Sequence, residues 1–72
     1  MNYLVMAFRY GTNEYFFPVG IFDDKDVAIK AAKNHRMFRG GKYDHKLYYI
    51  TPGQEYDASE CESEWITGQP NN

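Results

Sequence analysis

Positively charged side chains recur at regular spacing in the middle of the chain, where they could bind phosphate groups. The six residues are Lys30, Lys33, Arg36, Arg39, Lys42 and Lys46. Guanidinium groups make bidentate contacts with phosphate, and Gly40 and Gly41 within this segment would let a nucleic-acid backbone approach closely. An aromatic ring such as Phe38 or Tyr43 could stack on an exposed base. Nucleic-acid binding is therefore one hypothesis for this segment.

The alternative for the same segment is a solvated outer helix face. A spacing of three residues drifts around an α-helix, so it spreads the charges over a wide arc. The sequence pI of about 5.5 also differs from the strongly basic character of dedicated nucleic-acid-binding domains. These two observations favour the solvated face.

Acidic side chains alternate near the C-terminal end of the chain, in the order Glu60, Glu62, Glu64. On a β-strand they would project from one face, about 6 to 7 Å apart. Such a column could bind cations, meet a basic protein surface or imitate a run of phosphates. It could instead pair with Lys42 or Lys46 on a neighbouring strand, or serve as edge charge that prevents strand-to-strand aggregation.

Residues suited to metal binding or catalysis are few and widely spaced. His35, His45 and Cys61 form none of the short motifs typical of zinc sites, and the chain has no Walker loop or nucleophile elbow. We therefore expect no metal, no cofactor and no enzymatic activity. A hydrolase or transferase built on Cys61 and a histidine is the remaining catalytic alternative. We expect His35 to be at least half-buried with one hydrogen bond, His45 to pack sideways, and Cys61 to be a small buried strand residue.

Length and composition predict one small domain. The chain has 72 residues, 43% hydrophobic and 18% aromatic, which indicates a core built from a few large rings. We expect the domain to span residues 1–67 and residues 68–72 to form a flexible tail. The single cysteine favours an intracellular protein, and the N-terminal sequence has neither the charge pattern of a signal peptide nor the length of a membrane span. Charge is uneven along the chain: residues 1–46 carry a formal +3, and residues 47–72 carry −5.

Hydrophobic periodicity predicts the order ββαββ. Period-two patterns indicate four strands and helix-forming residues indicate one helix, at residues 3–9, 15–22, 24–38, 43–50 and 60–66. Pro18 places the second strand at an edge or a bulge. Ala28, Ala31, Ala32 and His35 share one side of the helix, which would let it lie close to a sheet. We therefore predict an α+β fold, with a four-stranded antiparallel sheet and one helix packed on one face.

The opposite face of this sheet has no element in the predicted fold to cover it. Phe16 and Phe17 are adjacent on one strand and Tyr48 and Tyr49 on another, so one ring of each pair must face away from the helix. Contiguous exposed apolar surface usually marks an interaction site. This pattern predicts a surface that binds a partner protein or a second copy of the chain as a homodimer.

The string GIFDDKDVAIKAAKNH, followed by FRGGKY and a second predicted hairpin, resembles a type of short protein common in tailed bacteriophages and prophages. The similarity covers about residues 3 to 66. Val27 and Ile29 depart from it, because such proteins often have charged residues there. The resemblance implies a ββαββ domain in the cytoplasm of a bacterial host. It also implies an accessory role, the binding and inhibition of host enzymes such as transcription, nuclease or anti-phage defence components.

The leading hypothesis from the sequence is thus a non-catalytic protein-binding module that binds and inhibits or modulates a host protein. The residues assigned to this site are Glu60, Glu62, Glu64, Trp65, Tyr48 and Tyr49. The alternative is a nucleic-acid-binding accessory factor that uses the six basic residues from Lys30 to Lys46.

Overall fold

The computed structural model describes residues 1–12, 14–53 and 61–67. They form five elements in the predicted order: β1 (Asn2–Arg9), β2 (Phe16–Phe22), α1 (Lys25–Phe38), β3 (Tyr43–Ile50) and β4 (Ser63–Thr67). The predicted α+β class and ββαββ order are confirmed. The predicted tail at residues 68–72 lies outside the described residues.

The four strands form one antiparallel sheet in the order β2-β1-β3-β4. The two strands in the middle, β1 and β3, pair along their whole length from Asn2 opposite Ile50 to Arg9 opposite Tyr43. Pro18 lies on the edge strand β2, where the register shifts opposite Val5 and Met6. A missing backbone N–H is tolerated at such a position, so the predicted edge or bulge is confirmed.

Helix α1 begins where Asp24 caps it. The Asp24 carboxylate accepts hydrogen bonds from the backbone N–H groups of Asp26 and Val27, at 2.8 and 3.2 Å. These bonds satisfy two of the donors that a helix leaves free at its N-terminus. The helix ends at a glycine pair, and Gly40 and Gly41 both have positive φ angles, 68° and 78°. Glycine adopts this left-handed conformation without a steric penalty, which explains its use after the last turn.

The core lies between α1 and one face of the sheet. Ala28 and Ala32 are fully buried against Val5 on β1 and Leu47 on β3. Because alanine is small, the helix backbone can come close to the sheet, and larger side chains such as Phe22 complete the core at its margin. The prediction of a core built from a few large rings is therefore wrong, since small aliphatic side chains fill its centre in the described residues. No helix in the described part of the chain is long and apolar enough to cross a membrane.

The last strand differs from its prediction. It starts at Ser63 rather than Glu60, and its register shifts opposite His45 and Lys46. The shift places Trp65 opposite Lys46 but Thr67 opposite His45, so one extra residue, Ile66, stands between them. A strict period of two is broken at this bulge, which the sequence pattern does not reveal.

Candidate functional site

The helix covers one face of the sheet, and no other described element packs against the opposite face. We call this opposite surface the open face. Cross-strand pairing places on it Asn2, Leu4, Met6, Phe8, Phe16, Pro18, Ile21, Asp44, Lys46, Tyr48, Ile50, Ser63 and Trp65. Directly paired residues of neighbouring strands share one side of a sheet, so the register alone defines this set.

Aromatic rings on the open face form a row that crosses the sheet. The centroid of the Phe8 ring lies 5.6 Å from that of Phe16 and 5.4 Å from that of Trp65. These separations are typical of packed aromatic pairs. The row therefore links the edge strand β2 to the opposite edge strand β4. Phe16 is 52% exposed, although it belongs to this cluster.

A lysine stands within this row. The Lys46 ammonium nitrogen lies 5.4 Å from the Trp65 ring centroid and 5.6 Å from that of Tyr48. Both distances are within the range of cation–π attraction. Lys46 forms no ion pair with a described carboxylate. The open face is thus an apolar surface with one positive charge set among its rings.

The six residues assigned to protein binding from the sequence lie on different surfaces. Tyr48 and Trp65 lie on the open face. One ring of the adjacent pair Tyr48 and Tyr49 thus faces away from the helix, as alternation predicted. Tyr49 faces the helix side, where its ring packs edge-on against Tyr3 at 5.6 Å. Glu64 also lies on the helix side, because it pairs with the buried residue Leu47.

The remaining two residues of that set are glutamates near the start of β4. Glu62 is exposed and precedes the strand, and its carbonyl accepts a hydrogen bond from the Tyr49 N–H at 2.9 Å. Glu60 lies outside the described residues. The structure therefore brings Tyr48 and Trp65 together and does not bring Tyr49 or Glu64 to the same face.

Glu64 has partners different from those that the sequence suggested. Its carboxylate accepts a hydrogen bond from the Tyr49 hydroxyl at 2.6 Å and lies 3.2 Å from the Lys25 ammonium group. The hydrogen bond from Tyr49, followed by that from Lys25, lowers the pKa of the Glu64 carboxyl. The neutralising cation thus comes from the first turn of α1, and not from Lys42 or Lys46.

The six basic residues assigned to nucleic-acid binding do not form one surface either. Lys30 and Lys33 are exposed on α1, and Lys46 lies on the open face. The Arg39 guanidinium stacks on the Phe17 and Tyr43 rings, at 5.6 and 5.4 Å. The wide scatter that a spacing of three predicts is therefore observed for these side chains.

Arg36 contacts an acidic residue near the start of β3. Its guanidinium lies 3.7 Å from the Asp44 carboxylate, and Asp44 is buried. Arg36 Nε and one Asp44 carboxylate oxygen are buried without a hydrogen-bond partner in the described residues. At 3.7 Å the pair attracts electrostatically but is too long for a hydrogen bond. Arg36 is thus partly neutralised by Asp44 and is less available to an external anion than an unpaired arginine.

The two histidines meet in the interior. His35 Nδ1 lies 2.8 Å from His45 Nε2, and His45 Nδ1 lies 2.7 Å from the Thr67 hydroxyl oxygen. His45 is fully buried, so the interpretation that it packs sideways is wrong: it points at the helix and makes two hydrogen bonds. His35 is half-buried with one hydrogen bond, as predicted. Burial lowers the pKa of His45 to about 4 and also lowers the pKa of His35.

The contact between His35 and His45 could have been predicted from the sequence. The alanine side of α1 and the Leu47 row of β3 each include one histidine, and these two surfaces pack together. Thr67 could not be placed, since the predicted fourth strand ended at residue 66. Three or more metal-binding side chains do not come together anywhere in the described residues. The two histidines share a hydrogen bond, beside Arg36 and Arg39, whose charges disfavour a bound cation.

Cys61 is not a strand residue. It precedes β4, is half-buried, and its thiol donates a weak hydrogen bond to the Tyr49 carbonyl at 3.3 Å. Tyr49 lies near the end of β3, whereas His45 lies four residues earlier, opposite Thr67. Cys61 therefore lies at the opposite end of β3 from the histidine pair. The described residues do not bring its thiol next to a histidine that could act as a base.

The chain matches no protein-family model, no curated protein and no solved structure.

Proposed function

We propose that this chain is a non-catalytic protein-binding module whose open face binds a partner protein. The observation that carries the proposal is the continuous aromatic row Phe16–Phe8–Trp65 on a sheet face that no described element covers. Buried aromatic anchors dominate the energetics of protein interfaces, and contiguous exposed apolar surface on a small domain usually marks such an interface. The resemblance to small phage proteins makes a bacterial cytoplasmic protein the class of partner to test.

The positive charge of Lys46 on this face favours a partner protein other than a second copy of the chain. Lys46 lies among the rings without a carboxylate partner in the described residues, and a bound surface would cover it. Covering a charge without a partner is costly. Asp44, the acidic residue that cross-strand pairing puts on the same side, already lies 3.7 Å from Arg36. Among the described residues of this face, a second copy would bring a second lysine and no acid free of a cation partner. A complementary surface that is apolar with a carboxylate opposite Lys46 therefore fits better.

The experiment is affinity capture from a nuclease-treated bacterial lysate with matched variants. The open-face variant is Phe16→Ser with Lys46→Glu. The control is Val27→Ser with Lys30→Glu, on the outer side of α1. Phe16 and Val27 are each 52% exposed, and both variants reverse one lysine charge, so the two differ mainly in location. We expect a stoichiometric protein captured by wild type and by the control, and lost from the open-face variant.

Two results would overturn the proposal. Capture of the same proteins in equal amounts by both variants would mean that the open face is not the binding surface. A wild-type dimer in light scattering that the open-face variant converts to a monomer would replace the external partner by a second copy. Circular dichroism of each variant verifies that the fold is retained.

Nucleic-acid binding through all six basic residues between Lys30 and Lys46 finds less support. These side chains occupy the outer helix, the helix C-terminus and the open face, so no single strand could contact them together.

A further inference from the structure

Acidic and basic residues separate toward opposite ends of the molecule. Antiparallel pairing puts the end of β1 beside the start of β3, and α1 finishes at that same end. Arg9, Arg39 and Lys42 lie there, and we call them the basic end. The opposite end, where α1 begins and β4 starts, carries Asp23, Asp24, Asp26, Glu62 and Glu64. Two acidic residues also lie toward the basic end: Asp44, whose carboxylate is 3.7 Å from Arg36, and Glu14 in the turn between β1 and β2. Basic residues outnumber acidic ones there, so the net charge of −2 conceals a locally positive region.

Two arginines from different elements share one ring at the basic end. The guanidinium carbons of Arg9 and Arg39 lie 5.7 and 5.4 Å from the centroid of Tyr43. Tyr43 itself is only 4% exposed, so these side chains help to cover it. Stacking on a ring restricts an arginine side chain while its N–H groups stay free to donate at the edge.

Neither arginine is neutralised by the rest of the described chain. The two ion pairs among described residues are Lys25–Glu64 and Arg36–Asp44, and neither includes Arg9, Arg39 or Lys42. Covering the Tyr43 ring would require only the aliphatic part of each side chain. The helix C-terminus accounts for a preference for cations near Arg39, but it does not account for Arg9, which belongs to β1. Several unpaired cations held at one place are suited to an external polyanion.

Exposed rings adjoin these cations. Tyr15 lies 6.3 Å from Tyr43 between ring centroids and is 56% exposed. The Arg9 N–H donates to the Tyr15 carbonyl at 3.0 Å, which fixes the two residues side by side. Tyr10 follows Arg9, is 72% exposed, and donates its backbone N–H to the Lys42 carbonyl at 2.8 Å. Phosphate-binding cations next to accessible rings are the combination by which single-stranded nucleic acid is bound without sequence preference.

We propose that the basic end binds single-stranded nucleic acid, with Arg9, Arg39 and Lys42 contacting phosphates and Tyr15 stacking on a base. A duplex offers phosphates but keeps its bases stacked on one another, so the exposed ring gives the single strand the advantage. This site is separate from the open face, and its test does not depend on the protein partner.

The test measures fluorescence anisotropy of labelled 12-nucleotide oligothymidine and oligouridine, and of a duplex of equal length, at 50 and 200 mM NaCl. The charge variant is Arg9→Gln with Arg39→Gln. Its control, Lys25→Gln with Lys30→Gln, removes the same charge from α1 outside the basic end. We expect the charge variant to bind single strands at least about tenfold more weakly. The slope of log affinity against log salt should decrease by about 1.4, since each lost phosphate contact removes about 0.7.

Two further single variants measure the phosphate contact and the base stacking separately, and they change side chains that are exposed. Lys42→Gln changes an exposed side chain, so it should retain the fold and lower the salt slope by about 0.7. Tyr15→Leu removes the ring and should weaken single-strand binding about tenfold, within the range known for base stacking, while duplex binding stays the same. Circular dichroism of every variant verifies that its secondary structure is retained.

Several outcomes would overturn the proposal. Wild-type protein that binds neither oligonucleotide at 50 mM NaCl has no such site. Equal loss in the charge variant and its control would mean that net charge alone is responsible. Duplex binding as tight as single-strand binding would remove the role of Tyr15. None of these results bears on capture of a protein by the open face.

Discussion

His35 Nδ1 and His45 Nε2 are 2.8 Å apart at the interface between α1 and β3, and His45 Nδ1 is 2.7 Å from the Thr67 hydroxyl. Two arrangements of neutral rings satisfy both contacts. Either His35 donates to His45 and His45 donates to Thr67, or Thr67 donates to His45 and His45 donates to His35. In both arrangements the chain of hydrogen bonds joins the helix, the third strand and the last residue of the fourth. The pair therefore ties three elements together in its neutral form.

Acidification should destabilise the fold through this pair. Burial, the neighbouring His35 and the charge of Arg36 lower the pKa of His45 to about 4, whereas an unfolded histidine titrates near 6.5. Between these values the unfolded chain binds more protons, so stability present at pH 7 is lost as the pH falls toward 4. We expect His45 to account for a loss of about 2 kcal/mol in the free energy of unfolding between pH 7 and pH 4.5. Urea denaturation at several pH values measures it.

The control for this prediction is His45→Gln, which removes the titrating ring and leaves the carboxylates in place. The difference in unfolding free energy between wild type and this variant should shrink by about 2 kcal/mol over the same pH interval. Parallel curves for the two proteins would show that His45 does not titrate below its ordinary range in the folded state.

Loss of the Thr67 hydroxyl should destabilise the protein although the shape of the side chain is kept. Thr67→Val is nearly isosteric, but it leaves a buried nitrogen of His45 without its partner. An unsatisfied buried polar group costs about 1 to 3 kcal/mol. Thr67→Ser is the matched control, because it removes only a methyl group and keeps the hydroxyl. Urea denaturation at pH 7 should rank the proteins wild type, Ser, Val; a Val variant as stable as the Ser variant would contradict the hydrogen bond.

Periodicity was sufficient to predict the elements but not all of their contacts. The strand Tyr43–Ile50 was predicted with its observed bounds, because a period of two persists along it without interruption. The fourth strand was predicted to begin three residues too early, because the alternation of Glu60, Glu62 and Glu64 continues upstream of the residues that pair with β3. Its bulge, which moves the strand end to Thr67, is not visible in that alternation. The contribution of Arg9 to the basic end was missed for a related reason: it lies far from Arg39 in sequence, and only the β1–β3 register puts it beside Tyr43. Pairing between distant strands is set by the whole sheet, not by a local pattern.

The residues assigned to protein binding lie on two faces of the sheet for the same reason, because tertiary packing decides which face the helix covers. Alternation correctly separates Tyr48 from Tyr49, but it cannot indicate which of the two faces the helix. The helix covers the Leu47 row because Ala28 and Ala32 fit against Val5 and Leu47. Which face the helix covers therefore depends on the packing of α1 against β1 and β3 together.

Replacement of Tyr49 by phenylalanine should raise the pKa of Glu64. The hydrogen bond that the Glu64 carboxylate accepts from Tyr49 is the largest cause of its lowered pKa, ahead of Lys25. Removing this donor makes the carboxylate easier to protonate, so its pKa moves upward toward the ordinary value of a glutamate. Carbon-detected NMR titration of the side-chain carboxyl group measures the shift. Lys25→Gln, the comparison, should move the pKa in the same direction, because it removes a hydrogen bond and a positive charge. An unchanged Glu64 pKa in the Tyr49→Phe variant would contradict the role assigned to the Tyr49 hydroxyl.

The close approach of α1 to the sheet predicts a strong dependence on residue size at position 32. Ala32 is fully buried against Val5 and Leu47, so Ala32→Leu would add carbon atoms where no space is available. Overpacking of this kind costs about 1 to 3 kcal/mol. Lys33→Leu introduces the same side chain one position along, at an exposed site, and should change stability by no more than about 0.5 kcal/mol. Urea denaturation of both variants at pH 7 measures the difference, and an Ala32→Leu variant as stable as the Lys33→Leu variant would mean that the helix stands farther from the sheet than the buried alanines require.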